Sequence, residues 1–104
     1  MAIEFRDRVS DTTQTTGTTS PIVLDDTGPT GYRPFSGAGH TTGCQVFFCI
    51  TSLDRTEWEV NTGIWTSAAK TITRLTPSAS SNANALVNFS AGTKEVIEVV
   101  STGS

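Results

Sequence analysis

The sequence has little of what catalytic and nucleic-acid-binding domains usually depend on. Its 104 residues include one histidine, one methionine and two cysteines, and only 16% are charged, with a formal net charge of −3. A nucleic-acid-binding domain normally carries a basic face, so this acidic balance disfavours that class. No apolar run approaches the roughly 20 residues that a transmembrane helix needs. We therefore expect neither a nucleic-acid partner nor insertion into a membrane.

Large apolar side chains are also scarce, which limits the core to an ordinary or small size. The set AVILMFWYC makes up 36% of the chain, which is 104 residues long and suits one domain. Hydroxyl residues take the place of apolar ones, since 19 Thr and 11 Ser account for 30 of the 104 residues. Threonine favours strands, whereas serine and glycine favour turns. This composition argues against a helical bundle.

Short alternating segments separated by turn residues predict the fold. The strand candidates are 21–24, 32–36, 44–52, 56–60, 64–65, 70–76, 86–89 and 95–100, and residues 61–63 are predicted to form a turn. About seven to nine such strands indicate an all-β fold, either a small antiparallel β-sandwich or a barrel-like module. We expect Glu57 and Glu59 on the solvent face of their strand. The expected core is Trp58, Val60, Ile72, Leu75, Phe89, Val96 and one of Phe47 or Phe48.

Residues 10–20 differ from the rest of the chain because six of these 11 residues are threonines and none is a large apolar residue. Such a segment has unpaired backbone groups and no apolar face of its own, so it suits strand addition to a neighbour. We therefore expect an extended Thr-rich N-terminal arm over 1–20, with partner-dependent order, and a β-sandwich or barrel domain over 21–104. The Gly-rich loop 36–43 is a second candidate for partner contact.

The residues that could carry chemistry do not form a recognisable set. His40 lies in the loop 36–43, where a solvated histidine is expected. Cys44 and Cys49 lie on one predicted strand with an odd separation, so their side chains point to opposite faces about 16 Å apart along the strand. A disulfide needs Cα atoms within about 7 Å, so the two should not pair with each other. They are interpreted as small hydrophobes, with an inter-chain disulfide as the alternative. We expect no catalytic residue, metal site or cofactor, and hence no enzyme.

The N-terminal residues 1–8 contain no apolar stretch of the kind found in secretory signals. This predicts that the chain is made in a reducing cytosol, where both cysteines begin as thiols.

Several segments together carry a resemblance to a known kind of protein. The most specific is VNFSAGTK, residues 87–94, and the others are 7–9, 12–13, 15–17, 31–35, 58–63, 71–74, 80–82 and 95–96. The chain resembles a small all-β module that recurs in virion proteins of tailed bacteriophages, in tail-fibre, baseplate and other surface proteins. Cys44 and Cys49 lie outside this pattern.

The resemblance implies a structural component of a phage particle, an oligomeric module that docks on the virion surface. It would serve as a tail, baseplate or fibre-attachment adaptor, or as a capsid decoration. The implied partners are the chain itself, as a homo-oligomer such as a trimer, and other virion proteins. The implied location is the virion, assembled in the host bacterial cytoplasm.

The alternative function is a carbohydrate-binding, receptor-recognition module that holds a host-surface glycan on exposed aromatic residues. For either function, the candidate contact residues are Phe5, Thr12, Thr13, Thr15, Thr16, Tyr32, Phe35, His40 and Trp65.

Overall fold

Seven short strands form one antiparallel sheet. The structure is a computed structural model that describes residues 3–99. The strands are β1 (Ser10–Thr13), β2 (Ile22–Val23), β3 (Gln45–Ser52), β4 (Trp58–Thr66), β5 (Thr71–Arg74), β6 (Ala79–Ser80) and β7 (Lys94–Glu98), with one 3₁₀ turn at Phe35–Gly37. Within residues 3–99 no helix is long and apolar enough to cross a membrane. The prediction of an all-β antiparallel fold is confirmed.

The sheet curls until its two ends meet. The strand order is β1-β7-β3-β4-β5-β2, and β6 pairs with β4 off this path. An antiparallel bridge joins Thr13, at the end of β1, to Leu24, just after β2. Beside it, the Asp25 N–H donates to the Thr12 carbonyl over 2.8 Å. The result is a nearly closed barrel-like sheet, in which few strand edges are left unpaired.

The Thr-rich segment is part of this sheet. All four residues of β1 pair with Lys94–Ile97 at the start of β7. Thr13 is fully buried, and its hydroxyl donates to the Val23 carbonyl over 2.6 Å. Further along, Gly17 and Phe89 exchange two main-chain hydrogen bonds. Residues 10–13 and 17 of the predicted arm are thus paired within the chain, where the sequence predicted pairing with a neighbour. Residues 1–2 of the predicted arm, and residue 100 of the predicted last strand, lie outside the described residues.

Trp65 determines which side chains of β4 face the interior. It is 1% exposed, so by alternation Glu59, Asn61 and Gly63 also face inward, and Trp58 and Val60 face outward, half-buried. The predicted core positions of Trp58 and Val60 are therefore wrong. The predicted core position of Leu75 is also wrong, since this residue lies beyond the end of β5 and is 41% exposed. The predictions for Phe48, Ile72, Phe89 and Val96 are confirmed, since all four are buried.

The turn predicted at 61–63 is absent, because β4 continues through it and pairs with both β3 and β5. Gly63 explains the continuity. A Cβ atom at this inward position would lie 2.2 Å from the Thr73 carbonyl oxygen and 2.4 Å from Cγ2 of Ile72. Glycine thus lets β5 approach β4 closely, which is a use of strand glycine different from a turn.

A buried ion pair joins β4 to β5. Arg74 donates from Nη2 to Oε1 of Glu59 over 2.6 Å and from Nε to Oε2 over 3.2 Å, and both side chains are at most 1% exposed. The Asn61 side chain and the Val87 N–H donate to the same carboxylate. The remaining guanidinium hydrogens reach the main-chain carbonyls of residues 17, 19 and 87. The prediction that Glu59 faces solvent is wrong, because Arg74 supplies its counter-charge inside the barrel.

Removing only one member of this ion pair should destabilise the protein strongly, because the other charge then stays buried without a partner. Glu59→Gln leaves the Arg74 guanidinium buried without a counter-charge, and Arg74→Gln does the same to Glu59, so each should cost about 3–5 kcal/mol. The double variant should lose less than the sum of the two, as urea unfolding followed by tryptophan fluorescence would show. Additive losses, or a loss under about 1 kcal/mol for either single variant, would contradict a coupled pair.

Gly63→Ala should destabilise the fold, because the added methyl group meets main-chain and side-chain atoms of β5. We expect a loss of about 1–3 kcal/mol or more. Gly37→Ala is the matched control, since a Cβ there would lie 3.5 Å from its nearest neighbour, Cδ of Pro34. Equal midpoints for the two variants in thermal unfolding would contradict the steric explanation.

Candidate functional site

Side chains alternate between the inside and the outside of the barrel along each strand, and this places some apolar side chains on the outside. Cys49 on β3 lies between Val60 of β4 and Ile97 of β7 in one row across the sheet. In the adjacent row Phe47 lies beside Val99, whose N–H donates to the Phe47 carbonyl over 3.0 Å. All five side chains are half-buried. We call these five residues the outer apolar face.

The outer apolar face has one ion pair at its border. The outward side chains of β3 and β4 are Gln45, Phe47, Cys49, Thr51, Trp58, Val60, Thr62 and Ile64, and none carries a charge at neutral pH, since burial raises the pKa of the Cys49 thiol. On β7, Glu95 lies two residues from Ile97 on the same face and pairs with Arg55 over 3.0 Å. A partly exposed apolar patch is typical of an interaction surface. Because Arg55 offsets the charge of Glu95, two copies of this chain of net charge −3 can approach through this face with little like-charge repulsion.

A groove and an aromatic side chain extend this face. Phe47 and Val60 line a cavity of about 370 Å³ together with Thr62, Thr76 and Ser78. The Phe5 ring packs edge-on against Phe47 with 5.4 Å between the ring centroids, and Phe5 is 43% exposed. Phe5, one of the predicted contact residues, thus lies on the border of the outer apolar face.

Four other predicted contact residues remain accessible. Thr12 and Thr15 are half-buried, whereas Thr16 and Tyr32 are exposed. Thr12 donates its hydroxyl hydrogen to Oδ2 of Asp25 over 2.7 Å, and the Thr15 hydroxyl accepts the Val23 N–H. These threonines therefore stabilise the closure of the barrel.

The remaining four predicted contact residues cannot meet a partner, because they are buried. Phe35, Trp65 and Thr13 are at most 1% exposed, and His40 is 7% exposed. The loop that contains His40 folds over one end of the barrel, where the imidazole stacks on Phe35 with 5.8 Å between centroids. The predictions that His40 is solvated and that Trp65 is a surface residue are wrong, since each covers the other inside this aromatic cluster.

His40 has a charged neighbour at the same end of the barrel. Its Nε2 lies 3.0 Å from Oε1 of Glu98, at an angle outside hydrogen-bond geometry, and both side chains are at most 2% exposed. The other oxygen of Glu98 accepts the Arg6 N–H over 2.9 Å. This pair was missed from the sequence, although alternation from Val96 already assigns Glu98 to the inward face of β7.

Cys44 lies near these groups but is poorly suited to act as a nucleophile. Burial, reinforced by the neighbouring carboxylates of Glu4 and Glu98, raises the pKa of the Cys44 thiol to about 11. A thiol must ionise to become a nucleophile or a metal ligand, so Cys44 is inert at neutral pH. Within residues 3–99 no group of three or more His, Cys, Asp or Glu side chains is placed to hold a metal ion.

The two cysteines are free thiols in different environments. Cys44 is 3% exposed, whereas Cys49 is half-buried on the outer apolar face, and burial raises its pKa as well. Their predicted failure to pair with each other is confirmed. Of the two, only Cys49 is positioned for the inter-chain disulfide, which stays a prediction.

Thiol alkylation should distinguish these environments. At pH 8, iodoacetamide should modify Cys49 faster than Cys44, by about tenfold or more, because the thiolate is the reacting form and Cys44 is both buried and protonated. Peptide mass spectrometry of the native protein measures both rates, and urea-unfolded protein, in which the rates should converge, is the control. Faster modification of Cys44 in native protein would contradict its assigned burial.

Comparison with protein-family models, with curated proteins and with solved structures finds no match for this chain. The resemblance to phage virion modules therefore stays a prediction from the sequence, and the function has to be inferred from the chain's own surface.

Proposed function

We propose that this chain is a structural component of a tailed-bacteriophage particle and that it assembles through its outer apolar face. The observation that carries the proposal is this half-buried apolar strip across β7, β3 and β4. The sequence resemblance supplies the virion as the setting. The position on the particle, as tail, baseplate or fibre-attachment adaptor or as capsid decoration, belongs to the same proposal.

A second copy of the chain is the partner that suits this face best. The domain has a small apolar core, and small domains gain stability when association buries further apolar surface. A two-fold homodimer brings the same face of each copy into contact, so one self-complementary patch serves both subunits. In such a contact the half-buried Phe47 serves as an aromatic anchor, and the groove beside it receives Phe47 of the other copy.

The glycan-binding alternative loses its expected binding platform. Trp65 and Phe35 are buried in the barrel, which leaves Tyr32 as the exposed member of the predicted aromatic set apart from Phe5. One face of the Tyr32 ring is already covered, because the Arg8 guanidinium lies 4.6 Å from its centroid. A structural role is therefore better supported than sugar stacking on aromatic residues.

Val60→Glu should abolish self-association, because it places an unpaired charge on the outer apolar face. Wild-type protein should elute as an oligomer in size-exclusion chromatography with light scattering, and Val60→Glu as a monomer. Val23→Glu is the matched control, since Val23 is 54% exposed on β2, away from this face, and should leave the oligomer intact. Circular dichroism checks that both variants fold. A wild-type monomer at every concentration, or an unchanged mass for Val60→Glu, would contradict the proposal that the chain assembles through this face.

The virion assignment needs a separate measurement. Particles of the virus that encodes the chain, purified on a density gradient, should contain its peptides in quantitative mass spectrometry. Small multiples of three or six copies would indicate a tail or fibre, and hundreds would indicate capsid decoration. Particles without the peptides would overturn the virion assignment and leave the self-association result standing.

A further inference from the structure

A second cavity lies at the other end of the barrel from His40 and Glu98. It has a volume of about 390 Å³ and lies between the loop after β3 and the turn before β7. Its lining includes Ser52, Asp54, Glu57, Ser90, Thr93 and Lys94. The volume is in the range of small-molecule sites, about 300–1,000 Å³.

Lys94 is the unusual member of this lining. It is 1% exposed, and within residues 3–99 its ammonium has no hydrogen-bond partner. Burial lowers the pKa of Lys94, an effect that the nearby Glu57 carboxylate opposes. Buried polar groups in proteins are nearly always hydrogen-bonded, and leaving one unpaired is costly. Lys94, one of the residues that line the cavity, is therefore a buried donor that needs an acceptor.

The two carboxylates of the cavity are fixed in place by local donors. Oδ1 of Asp54 accepts hydrogen bonds from the Ser52 hydroxyl and from the N–H and hydroxyl of Thr56. These bonds, led by that of the Thr56 N–H, lower the pKa of Asp54 and keep it ionised. Glu57 accepts the N–H and the hydroxyl of Ser90 over 2.9 and 2.8 Å. A carboxylate offers about four acceptor positions, so both retain acceptor capacity.

This lining restricts the chemistry of a ligand. Asp54 and Glu57 repel an anion, whereas the Lys94 ammonium repels a metal cation. The wall combines these polar groups with the apolar side chains of Leu53 and Ala91, so a wholly apolar ligand would leave its charged and hydroxyl groups without partners. A neutral molecule with several hydroxyl groups meets every requirement, because each hydroxyl can accept from an ammonium and donate to a carboxylate.

We propose that this cavity binds a neutral sugar, with one sugar hydroxyl accepting a hydrogen bond from Lys94 and adjacent hydroxyls donating to Asp54 and Glu57. The site is independent of the virion assignment and of the outer apolar face. It differs from the aromatic platform expected from the sequence, since recognition here rests on hydrogen bonds.

Amide chemical shifts of ¹⁵N-labelled full-length protein test the proposal. Glucose, galactose and N-acetylglucosamine would be titrated separately to about 100 mM, with sodium acetate and inorganic phosphate in parallel. At least one sugar should give saturable shifts confined to residues 52–57 and 90–94. Lys94→Met should weaken that binding by about tenfold or more, since the methionine stem fills similar space without the donor. The chain's only other lysine provides the control, and Lys70→Met should bind like wild type.

Three results would overturn the proposal. They are the absence of saturable shifts with all three sugars, shifts that lie away from residues 52–57 and 90–94, and saturation by acetate or phosphate in place of a sugar, which would indicate an anion site. The location of the shifts in wild-type protein decides the matter even if Lys94→Met fails to fold. None of these results bears on self-association, which the Val60→Glu comparison tests separately.

Discussion

The bidentate pair between Glu59 and Arg74 is the interaction on which the barrel depends. It links neighbouring strands, and through the carbonyls of residues 17, 19 and 87 the same guanidinium holds the segments that follow β1 and precede β7. These segments have little regular pairing of their own. A buried ion pair gives modest net stability because desolvation opposes the attraction, but it is costly to leave half-made. The pair therefore penalises any arrangement of these segments that leaves Arg74 unsatisfied.

The small apolar content and the outer apolar face have a common cause. Part of the barrel interior is occupied by polar side chains such as Glu59, Asn61, Arg74 and Lys94, all at most 7% exposed. Strand alternation then places apolar residues of the same segments outside, Val60 between Glu59 and Asn61 and Ile97 beside Glu98. A chain with few large apolar residues still shows an apolar strip on its surface because polar groups fill interior positions. This distribution is what makes association a plausible use of the surface.

The sequence was sufficient to predict the longer strands but not the orientation of all of them, and the strands predicted at 32–36 and 86–89 are absent. Alternation placed β3, β5 and the start of β4 correctly, because period-two patterns and flanking turn residues are local signals. In β4, two tryptophans an odd number of residues apart compete for the interior, and choosing Trp58 over Trp65 reverses the whole strand. With that choice, Glu59 is predicted to face solvent and Gly63 is interpreted as part of a turn. The partner that resolves the choice, Arg74, lies on another strand, and only the three-dimensional pairing brings it to Glu59. Several contact residues were predicted wrongly because their burial also depends on three-dimensional structure. Trp65, Phe35 and His40 are buried because a loop closes over the end of the barrel.

The polar groups inside the barrel differ in how many of their hydrogen bonds are made within the chain. This difference distinguishes groups that stabilise the fold from a group that could bind a ligand. Around Arg74 each charged atom has partners on the chain, so the network needs nothing further and gains nothing from a ligand. At the start of β7, Lys94 faces a wall whose carboxylates are already held by Ser90 and by the loop after β3. Within residues 3–99 the Lys94 ammonium has no hydrogen-bond partner, although both carboxylates keep acceptor positions free. In the binding proposal above, a sugar hydroxyl supplies this acceptor, at the end of the barrel opposite His40 and Glu98.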